Sequence, residues 1–307
     1  HGLTLDWKRC VTYQTVDFMK MERDTVKEVN PDIPVTANLM GFYDGLDYFK
    51  FGPELDVVSW DNYPQWHTTD NVEIAVSSAM THDVMRSIKH ENFLLMESTP
   101  SMTNWTPISM LKRPGMHLLS SMQAVAHGSN SVQYFQFRKS RGSCEKFHGA
   151  VVDHVRHGGV FDSVTNANTR VFKDVQSVGA ALTRMNGRGD VYGTEVKPQV
   201  AIVYDVENRW ALDAAAGPRN KDKDEKYVET LLTHYRPFWD KGVQVDIVDM
   251  DGDISKYKLV IAPMLYMYRA GFEKKMRKFV ENGGTLVTTY WSGIVDDTDL
   301  CKMGGLP

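Results

Sequence analysis

The chain has 307 residues, 42% of them hydrophobic and 24% charged, which is typical of a globular protein with a sizeable core. Its net charge of −4 offers no basic surface for nucleic acid or an anionic membrane, and no apolar stretch approaches the ~20 residues of a transmembrane helix. The three cysteines are far apart without C-x-x-C spacing, so no disulfide framework or zinc site is indicated, and a reducing, cytoplasmic setting is favoured.

The first part of the chain alternates helix-like and strand-like segments. In chain order, the patterns predict a helix over Trp7–Val29, a strand over Val35–Met40, a short helix over Tyr43–Lys50, a strand over Leu55–Trp60, a helix over Ile74–Lys89, a strand over Asn92–Glu97, a helix over Gly115–His127, a strand over Ser131–Phe137 and a helix over Arg170–Met185. This alternation predicts an α/β fold, either a doubly wound parallel sheet or a (β/α)8 barrel. Four strands would form half of such a barrel.

A turn-rich break at Asn186–Asp190 predicts a domain boundary. Beyond it we expect strands at Gln199–Asp205, Gln244–Val248, Leu259–Pro263 and Gly284–Tyr290, helices at Tyr227–Lys241 and Phe272–Glu281, and an exposed loop at Pro218–Lys226. These elements predict an open flavodoxin-like sheet, similar to that of class I glutamine amidotransferases. No cysteine follows a strand as a nucleophile would, so amidotransferase activity is not expected. Because the chain starts near a helical pattern and stops inside a turn, we expect a fragment of a longer polypeptide.

One apolar run of strand length, Asn92–Glu97, ends in a carboxylate and is followed at once by the turn residues Ser98-Thr99-Pro100. A carboxylate at the tip of a buried strand is held rigidly and partly desolvated. Glycosidases use such a group as the nucleophile that attacks a sugar's anomeric carbon. The alternative is a strand that simply ends in a solvated glutamate, and this stretch alone does not decide between the two.

Two aromatic residues accompany this carboxylate at the predicted strand ends. Trp105 follows Glu97 by eight residues and could stack on a sugar, although a tryptophan taken alone is more often a packing residue. Tyr63 lies in the segment Trp60-Asp61-Asn62-Tyr63-Pro64, after another strand. This mixture of side chains suits recognition of hydroxyl groups, but it is also ordinary turn chemistry.

A third polar cluster, after the fourth predicted strand, contains Glu145 and His148. Their spacing lets both side chains project from one turn as hydrogen-bonding partners for a pair of hydroxyl groups. A metal site is the less favoured alternative, because it needs further ligands and only Asp153 and His154 stand nearby. No cofactor is predicted. We interpret His154 and His157 as ordinary loop histidines. The motifs G-x-S-x-G, G-x-G-x-x-G and H-E-x-x-H are absent, as is a P-loop.

These clusters resemble the β-galactosidases of glycoside hydrolase family 42, and the similarity runs in order over essentially the whole chain. The segments that carry it are Leu3–Arg9, Val58–Pro64, Leu95–Trp105, Ser140–His154 and Thr288–Asp296. The resemblance implies a (β/α)8 TIM barrel followed by a flavodoxin-like domain that builds a homotrimer. Residues 1–187 would then form a partial barrel with strands five to eight, and residues 196–307 a trimerisation domain truncated at its C-terminal end.

The resemblance also implies a role for each candidate residue. Glu97 would be the catalytic nucleophile at the end of the seventh barrel strand. Trp105, Glu145 and His148 would line the galactose subsite, and the loop of Tyr63 would border it. The implied reaction is retaining hydrolysis of terminal β-D-galactosides from an oligosaccharide substrate, with no cofactor and no nucleic-acid or membrane partner.

The sequence departs from the family in one respect. The family's acid/base glutamate follows an asparagine in an Asn-Glu-Tyr-Gly phrase after the fourth strand, and this phrase does not occur here. The preceding strands and the cysteine cluster that binds zinc in some members do not occur either. A retaining mechanism needs two carboxyl groups about 5–5.5 Å apart, so we expect the chain alone to be inactive. Two alternatives stay open: a non-catalytic carbohydrate-binding or assembly fragment of the family, and an unrelated α/β binding protein.

Overall fold

A computed structural model describes residues 2–66, 70–154, 156–157, 160–161, 167–187, 191–215 and 226–304. The helices and strands of these residues are, in chain order, α1 (Gly2–Val29), β1 (Asn38–Leu39), β2 (Ser59–Asp61), α2 (Asn71–Lys89), β3 (Phe93–Glu97), α3 (Met116–Ala126), β4 (Ser129–Val132), β5 (Arg156–His157), β6 (Val160–Phe161), α4 (Arg170–Asn186), β7 (Val200–Val203), α5 (Val206–Ala215), α6 (Tyr227–Trp239), β8 (Val245–Val248), β9 (Leu259–Ala262), α7 (Phe272–Glu281) and β10 (Thr285–Thr288). Two 3₁₀ turns, Tyr48–Lys50 and Gly52–Glu54, lie between β1 and β2.

The first sheet contains four parallel strands in the order β1-β2-β3-β4. β3 lies inside the sheet, and Phe93 and Leu95 are buried on one of its faces while Leu94 and Met96 are half-buried on the other. Such a strand is apolar on both faces because helices or barrel neighbours cover both. All four strands point the same way, so their carboxyl ends lie along one edge of the sheet. β3 presents Glu97 at that edge.

The second sheet is also parallel, with the strand order β10-β9-β7-β8. Renumbered within this half of the chain, the order is 2-1-3-4 when followed from β8, which is the flavodoxin-like arrangement. β7 and β8 are buried at every position, and α7 buries Phe272, Met276 and Phe279 on a single helical face. The predicted fold class, a partial barrel followed by a flavodoxin-like α/β sheet, is confirmed.

Helix α2 belongs to the first half of the chain and packs against β8 of the second sheet. It begins at the N-cap Asp70, whose side chain accepts a hydrogen bond from the Glu73 N–H, and its residues from Ser78 to Ser87 are all buried. Within this stretch Arg86 forms ion pairs with Asp83 of its own helix and with Asp246 of β8. Because the two halves share these buried charges, the second sheet fixes the helix that packs beside β3.

A buried carboxylate lies where the 3₁₀ turns meet the second half of the chain. Asp47 is 4% exposed, and its side chain accepts a hydrogen bond from the Phe49 N–H at 3.0 Å. Burial, reinforced by the negative charge of Asp205, raises the pKa of Asp47 to about 7. The folded protein therefore retains a proton on Asp47 that the unfolded chain releases above pH ~4. Stability falls as the pH rises between these two values.

We expect Asp47→Asn to increase the free energy of unfolding at pH 8 by on the order of 2 kcal/mol, because asparagine keeps the capping oxygen without a buried charge. At pH 4 the gain should vanish, since the wild-type carboxyl is then protonated in the folded state. Urea unfolding of the purified chain at both pH values measures the difference. An effect of equal size at pH 4 and pH 8 would contradict this explanation.

Several predicted boundaries are wrong. Helix α1 begins at Gly2 and not at Trp7, and the helix expected over Tyr43–Lys50 is a single 3₁₀ turn, since Asp44-Gly45 interrupts it and Gly52-Pro53 follows. Strand β4 spans Ser129–Val132 and not Ser131–Phe137, because β3 ends at Glu97 and Phe135 bonds the turn beyond it. The remaining predicted strands start up to four residues too early and end up to two residues too late, except that β2 extends one residue beyond its predicted end, to Asp61.

Helix α5 was not predicted at all. It follows β7 with only two residues between them and starts where the Asp205 side chain accepts a hydrogen bond from the Asn208 N–H at 2.8 Å. The domain break at Asn186–Asp190 and the loop at Pro218–Lys226 fall largely on residues outside the described part of the chain.

Candidate active site

Three polar side chains meet at the carboxyl edge of the first sheet. Asn38 of β1 donates from its Nδ2 to Asp61 Oδ1 at 3.0 Å and to Glu97 Oε1 at 3.2 Å. The register of the parallel ladder places Asp61 opposite Glu97, after an irregularity between Trp60 and Asp61. Neighbouring strand ends therefore bring two carboxyl groups to the same amide donor.

The second oxygen of Glu97 is held as well. The Tyr63 hydroxyl donates to Glu97 Oε2 at 2.7 Å, and the Asn62 N–H bonds the Glu97 backbone carbonyl at 2.9 Å. Burial and the negative charge of Glu97 raise the pKa of Tyr63, so the phenol remains a donor. With a donor on each oxygen, the Glu97 carboxylate is held in one orientation at the end of a rigid strand.

Asp61 does not carry a full charge at neutral pH. Burial, and after it the negative charge of Glu97, raises the pKa of Asp61 to about 7, against the opposing effect of the Asn38 hydrogen bond. Two carboxylates this close are not both fully ionised, and protonation of one relieves their repulsion. Near neutral pH, Asp61 is therefore partly protonated beside Glu97.

His148 forms a second wall of the site. Its side chain is buried, its Nδ1 lies 3.1 Å from Asn104 Oδ1, and its ring meets Tyr63 and Phe135 edge to face. Burial lowers the pKa of His148, although the charge of Glu145 opposes this. Within the described residues, Nε2 meets no partner at hydrogen-bonding geometry, although the Phe135 backbone lies close by. Because Nε2 has almost no exposed surface in this chain, a direct contact between His148 and a ligand stays a prediction.

Glu145 and Trp105 each contact another residue of the candidate site. Glu145 is half-buried, and its backbone carbonyl accepts from the His148 N–H at 2.9 Å, which forms the turn expected from their spacing. Trp105 is 55% exposed and touches the edge of the Tyr63 ring, with centroids 5.5 Å apart. The indole is not a core residue, and most of its surface is accessible.

A cleft of about 860 Å³ opens beside these residues. Asp61, Tyr63 and Trp105 lie on its wall together with polar residues of α2, namely Glu73, Ser77, Ser78 and Thr81. Its size is in the range of small-molecule sites. Asp61, Tyr63 and the accessible indole of Trp105 give this cleft groups that can bond and stack on a ligand with hydroxyl groups. Glu97 is not among the residues on this wall, and its hydrogen bond to Tyr63 places it next to the cleft.

Sequence reasoning missed two residues of this site. Asn38 was included in a strand without a role, although an amide in the apolar segment before Gly41 is a signal for a strand-end polar group. Asn104 was given no role, yet its Nδ2 donates to the Cys144 carbonyl at 2.7 Å while its oxygen contacts His148. It therefore ties the segment after β3 to the segment after β4.

The cysteines and the possible metal ligands were compared with the requirements of disulfides and metal sites. Cys10, Cys144 and Cys301 are free and exposed. No group of three or more His, Cys, Asp or Glu side chains in these ranges is placed to hold a metal ion. In the same ranges, no helix combines the length and apolar character needed to cross a membrane.

The sequence matches two family profiles. A β-galactosidase profile, that of glycoside hydrolase family 42, matches residues 1–185, and a β-galactosidase trimerisation domain profile matches residues 198–307. β-Galactosidase Pbg of Clostridium perfringens and β-galactosidase BglY of Alicyclobacillus acidocaldarius are each 56% identical to the chain. Both alignments cover 100% of this chain and 43% of the relative, so the chain spans less than half the length of these relatives.

Solved structures give the same picture. The cold-adapted β-galactosidase of Rahnella sp. R3 superposes with a TM-score of 0.92 at 50% identity, covering 99% of this chain and 43% of that one. Gan42B, a family 42 β-galactosidase, superposes with a TM-score of 0.92 at 48% identity, covering 100% of this chain and 44% of that one.

Proposed function

The chain belongs to the β-galactosidases of glycoside hydrolase family 42, and we propose that it supplies the nucleophile of a retaining β-galactosidase. The observation that carries this proposal is Glu97, which ends a central strand with one donor on each oxygen. Tyr63 bonds Glu97, and Trp105 and His148 contact the Tyr63 ring. We propose that these three residues and Glu145 form the galactose subsite.

In the proposed reaction, a Glu97 oxygen attacks the anomeric carbon of a terminal β-D-galactoside. The bond to the leaving-group oxygen breaks, and that oxygen takes a proton from a general acid. The product is a galactosyl ester on Glu97. Water then attacks the same carbon, loses a proton to the conjugate base, and releases galactose and the free carboxylate. Asn38 and Tyr63 hold the nucleophile, while the Trp105 face stacks on the sugar's C–H groups.

We propose that the general acid lies in a part of the enzyme outside this chain. The chain spans 43% of its relatives' length, and Asp61 shares the Asn38 donor with Glu97 on the same strand-end edge, which suits a neighbour of the nucleophile more than its counterpart across the sugar. Residues 1–187 would then be strands five to eight of a barrel, and residues 196–307 the domain through which three copies assemble. We call the complete protein the full-length enzyme.

We expect the purified chain alone to hydrolyse a nitrophenyl β-galactoside at least about 10²- to 10⁴-fold more slowly than the full-length enzyme, which is the usual contribution of general acid–base catalysis. A chromogenic assay with matched enzyme concentrations measures this ratio. Turnover by the chain alone within tenfold of the full-length enzyme would refute the missing-acid proposal.

A second assay separates a missing acid from a missing site. Dinitrophenolate leaves from its galactoside without protonation, and azide attacks the galactosyl ester without a base. If the chain binds galactosides with Glu97 in place, azide should accelerate release of dinitrophenol and yield β-galactosyl azide. Sugar binding with no reaction under these conditions would favour the alternative, a non-catalytic carbohydrate-binding fragment.

A further inference from the structure

Lys112 is a buried lysine that has no acidic partner among the residues that the structure describes. The residue is 7% exposed. Its Nζ donates to the Thr99 backbone carbonyl at 2.6 Å and lies 3.4 Å from His117 Nδ1. In the described part of the chain no carboxylate influences it, and burial alone accounts for its lowered pKa of about 7. Lysines are rarely buried unless they are paired, so this arrangement requires an explanation.

Lys112 closes a loop. Its N–H also bonds the Ser101 carbonyl at 3.1 Å, so the end of the segment 99–112 returns to its beginning through a main-chain and a side-chain hydrogen bond. The Thr99 hydroxyl stabilises the start of the same loop by donating to the Met102 carbonyl at 2.9 Å. This loop starts two residues after Glu97 and carries Asn104 and Trp105.

The base of the loop also supports the second wall of the site. The Gly149 N–H bonds the Met102 carbonyl at 2.9 Å, and a Cβ at Gly149 would lie 2.0 Å from Ser101 Oγ. The segment with Glu145 and His148 therefore packs directly on the turn that Lys112 fixes. Asn104 adds a second link through its bonds to Cys144 and His148.

We propose that Lys112 is a positioning residue of the galactoside site, which fixes the loop 99–112 and thereby places Trp105 and His148 relative to Glu97. The inference rests on the proposed function, because it concerns the same site. Lys112 touches neither the nucleophile nor the proposed sugar surfaces. Its side chain acts through the Thr99 carbonyl, whereas the bond to the Ser101 carbonyl is made by the backbone and does not need a lysine.

In the described ranges, the groups that face the amine carry no negative charge. They are the Thr99 carbonyl and the His117 ring, which passes the contact on to the Tyr134 hydroxyl at 3.1 Å. Burial, and after it the charge of Lys112, lowers the pKa of His117 to about 3, so this imidazole stays neutral. Because the folded pKa of Lys112 lies below its unfolded value, closure of the loop gains free energy as the pH rises from about 7 toward 10.

Lys112→Met in the full-length enzyme tests the proposal, because methionine keeps most of the volume and removes the donor. Lys89→Met is the matched control, since Lys89 Nζ likewise donates to backbone carbonyls, those of Gly52 and Leu55. Lys89 ends helix α2 and precedes the start of β3, at the end of that strand opposite Glu97. We expect kcat/KM for a nitrophenyl galactoside to fall about 10- to 100-fold in Lys112→Met and to change less than twofold in Lys89→Met. Hydrogen exchange of the peptides spanning residues 98–112 and 144–150 should accelerate only in Lys112→Met.

The outcomes are distinct. Kinetic constants of Lys112→Met within twofold of wild type, with a melting temperature lowered as in Lys89→Met, would overturn the inference and reduce Lys112 to a structural role. If Lys112→Met does not fold, Lys112→Gln is judged by the same kinetic criterion. A wild-type enzyme that does not hydrolyse galactosides would refute the proposed function itself, whereas an active wild type with an unaffected Lys112→Met refutes only this inference.

Discussion

Glu97→Gln in the full-length enzyme is expected to lower kcat for β-galactoside hydrolysis by a factor on the order of 10⁴ to 10⁶, the range seen when a covalent nucleophile is removed. Glutamine keeps the shape of the side chain and an oxygen that can accept from Asn38 or Tyr63, so the fold should survive. It lacks the negative charge that attacks the anomeric carbon. Steady-state kinetics with a nitrophenyl galactoside measure the loss of turnover.

A control for this experiment is a carboxylate that lies just before the same strand. Glu91→Gln removes an exposed carboxylate just before β3, at the end opposite Glu97, and should leave kcat unchanged. Equal melting temperatures of wild type and both variants would show that the loss in Glu97→Gln is chemical. If Glu97→Gln retained more than a hundredth of the wild-type kcat, Glu97 would not be the nucleophile.

Arg86→Met should cost the purified chain about 3–5 kcal/mol of unfolding free energy, because it leaves buried carboxylates without their counter-charge. Arg86 is 4% exposed, pairs with Asp83, and donates to the Val245 carbonyl at 2.7 Å and to Asp246 Oδ1 at 3.1 Å. Burial would raise the pKa of Asp83, but the Arg86 charge holds it below its usual value. Urea unfolding at pH 7 measures the loss.

Two further variants identify the cause of that loss. Arg236→Met removes an arginine that pairs with Glu73 and Asp240 at the exposed surface, and it should change stability little. Asp246→Asn added to Arg86→Met should recover part of the loss, because one uncompensated buried charge disappears. The electrostatic explanation would be contradicted if the double variant lost as much unfolding free energy as the sum of the losses in Arg86→Met and Asp246→Asn alone.

The strand that carries Glu97 was predictable because three signals agree. An apolar run of strand length, a single terminal carboxylate and the turn residues after it place the end of β3 at Glu97, as the structure has it. Tyr63 and Trp105 likewise follow strand ends in the sequence, and parallel strands bring such positions to one edge. Periodicity alone left open whether the four strands belong to a doubly wound sheet or a barrel.

The contacts that hold the site depend on register, which the sequence pattern does not contain. Asn38 reaches both Asp61 and Glu97 only because the ladder shifts between Trp60 and Asp61. The sequence pattern gives Lys112 no role, and nothing local indicates that its side chain folds back onto Thr99. A hydrogen bond between residues 13 apart in a loop is decided by the path of that loop.

The ion pairs and hydrogen bonds between the two halves of the chain were not predictable either. Arg86 and Asp246 are 160 residues apart, and each lies in a segment whose amphipathic or apolar pattern predicts only its own element. The helix after β7 was missed because a strand and a helix joined by two residues leave no loop signal between them. Such features arise from packing of complete elements and not from local preference.

Covalent trapping tests the central claim most directly. The full-length enzyme is incubated with a dinitrophenyl 2-deoxy-2-fluoro-β-D-galactoside, digested, and mapped by mass spectrometry. The fluorine slows hydrolysis of the galactosyl ester so that the labelled residue accumulates. We expect a single label, on Glu97 in the peptide that contains Phe93–Glu97. A label on Asp61, on Glu145 or on any other residue, in an enzyme that the reagent inactivates, would contradict the assignment of Glu97 as the nucleophile.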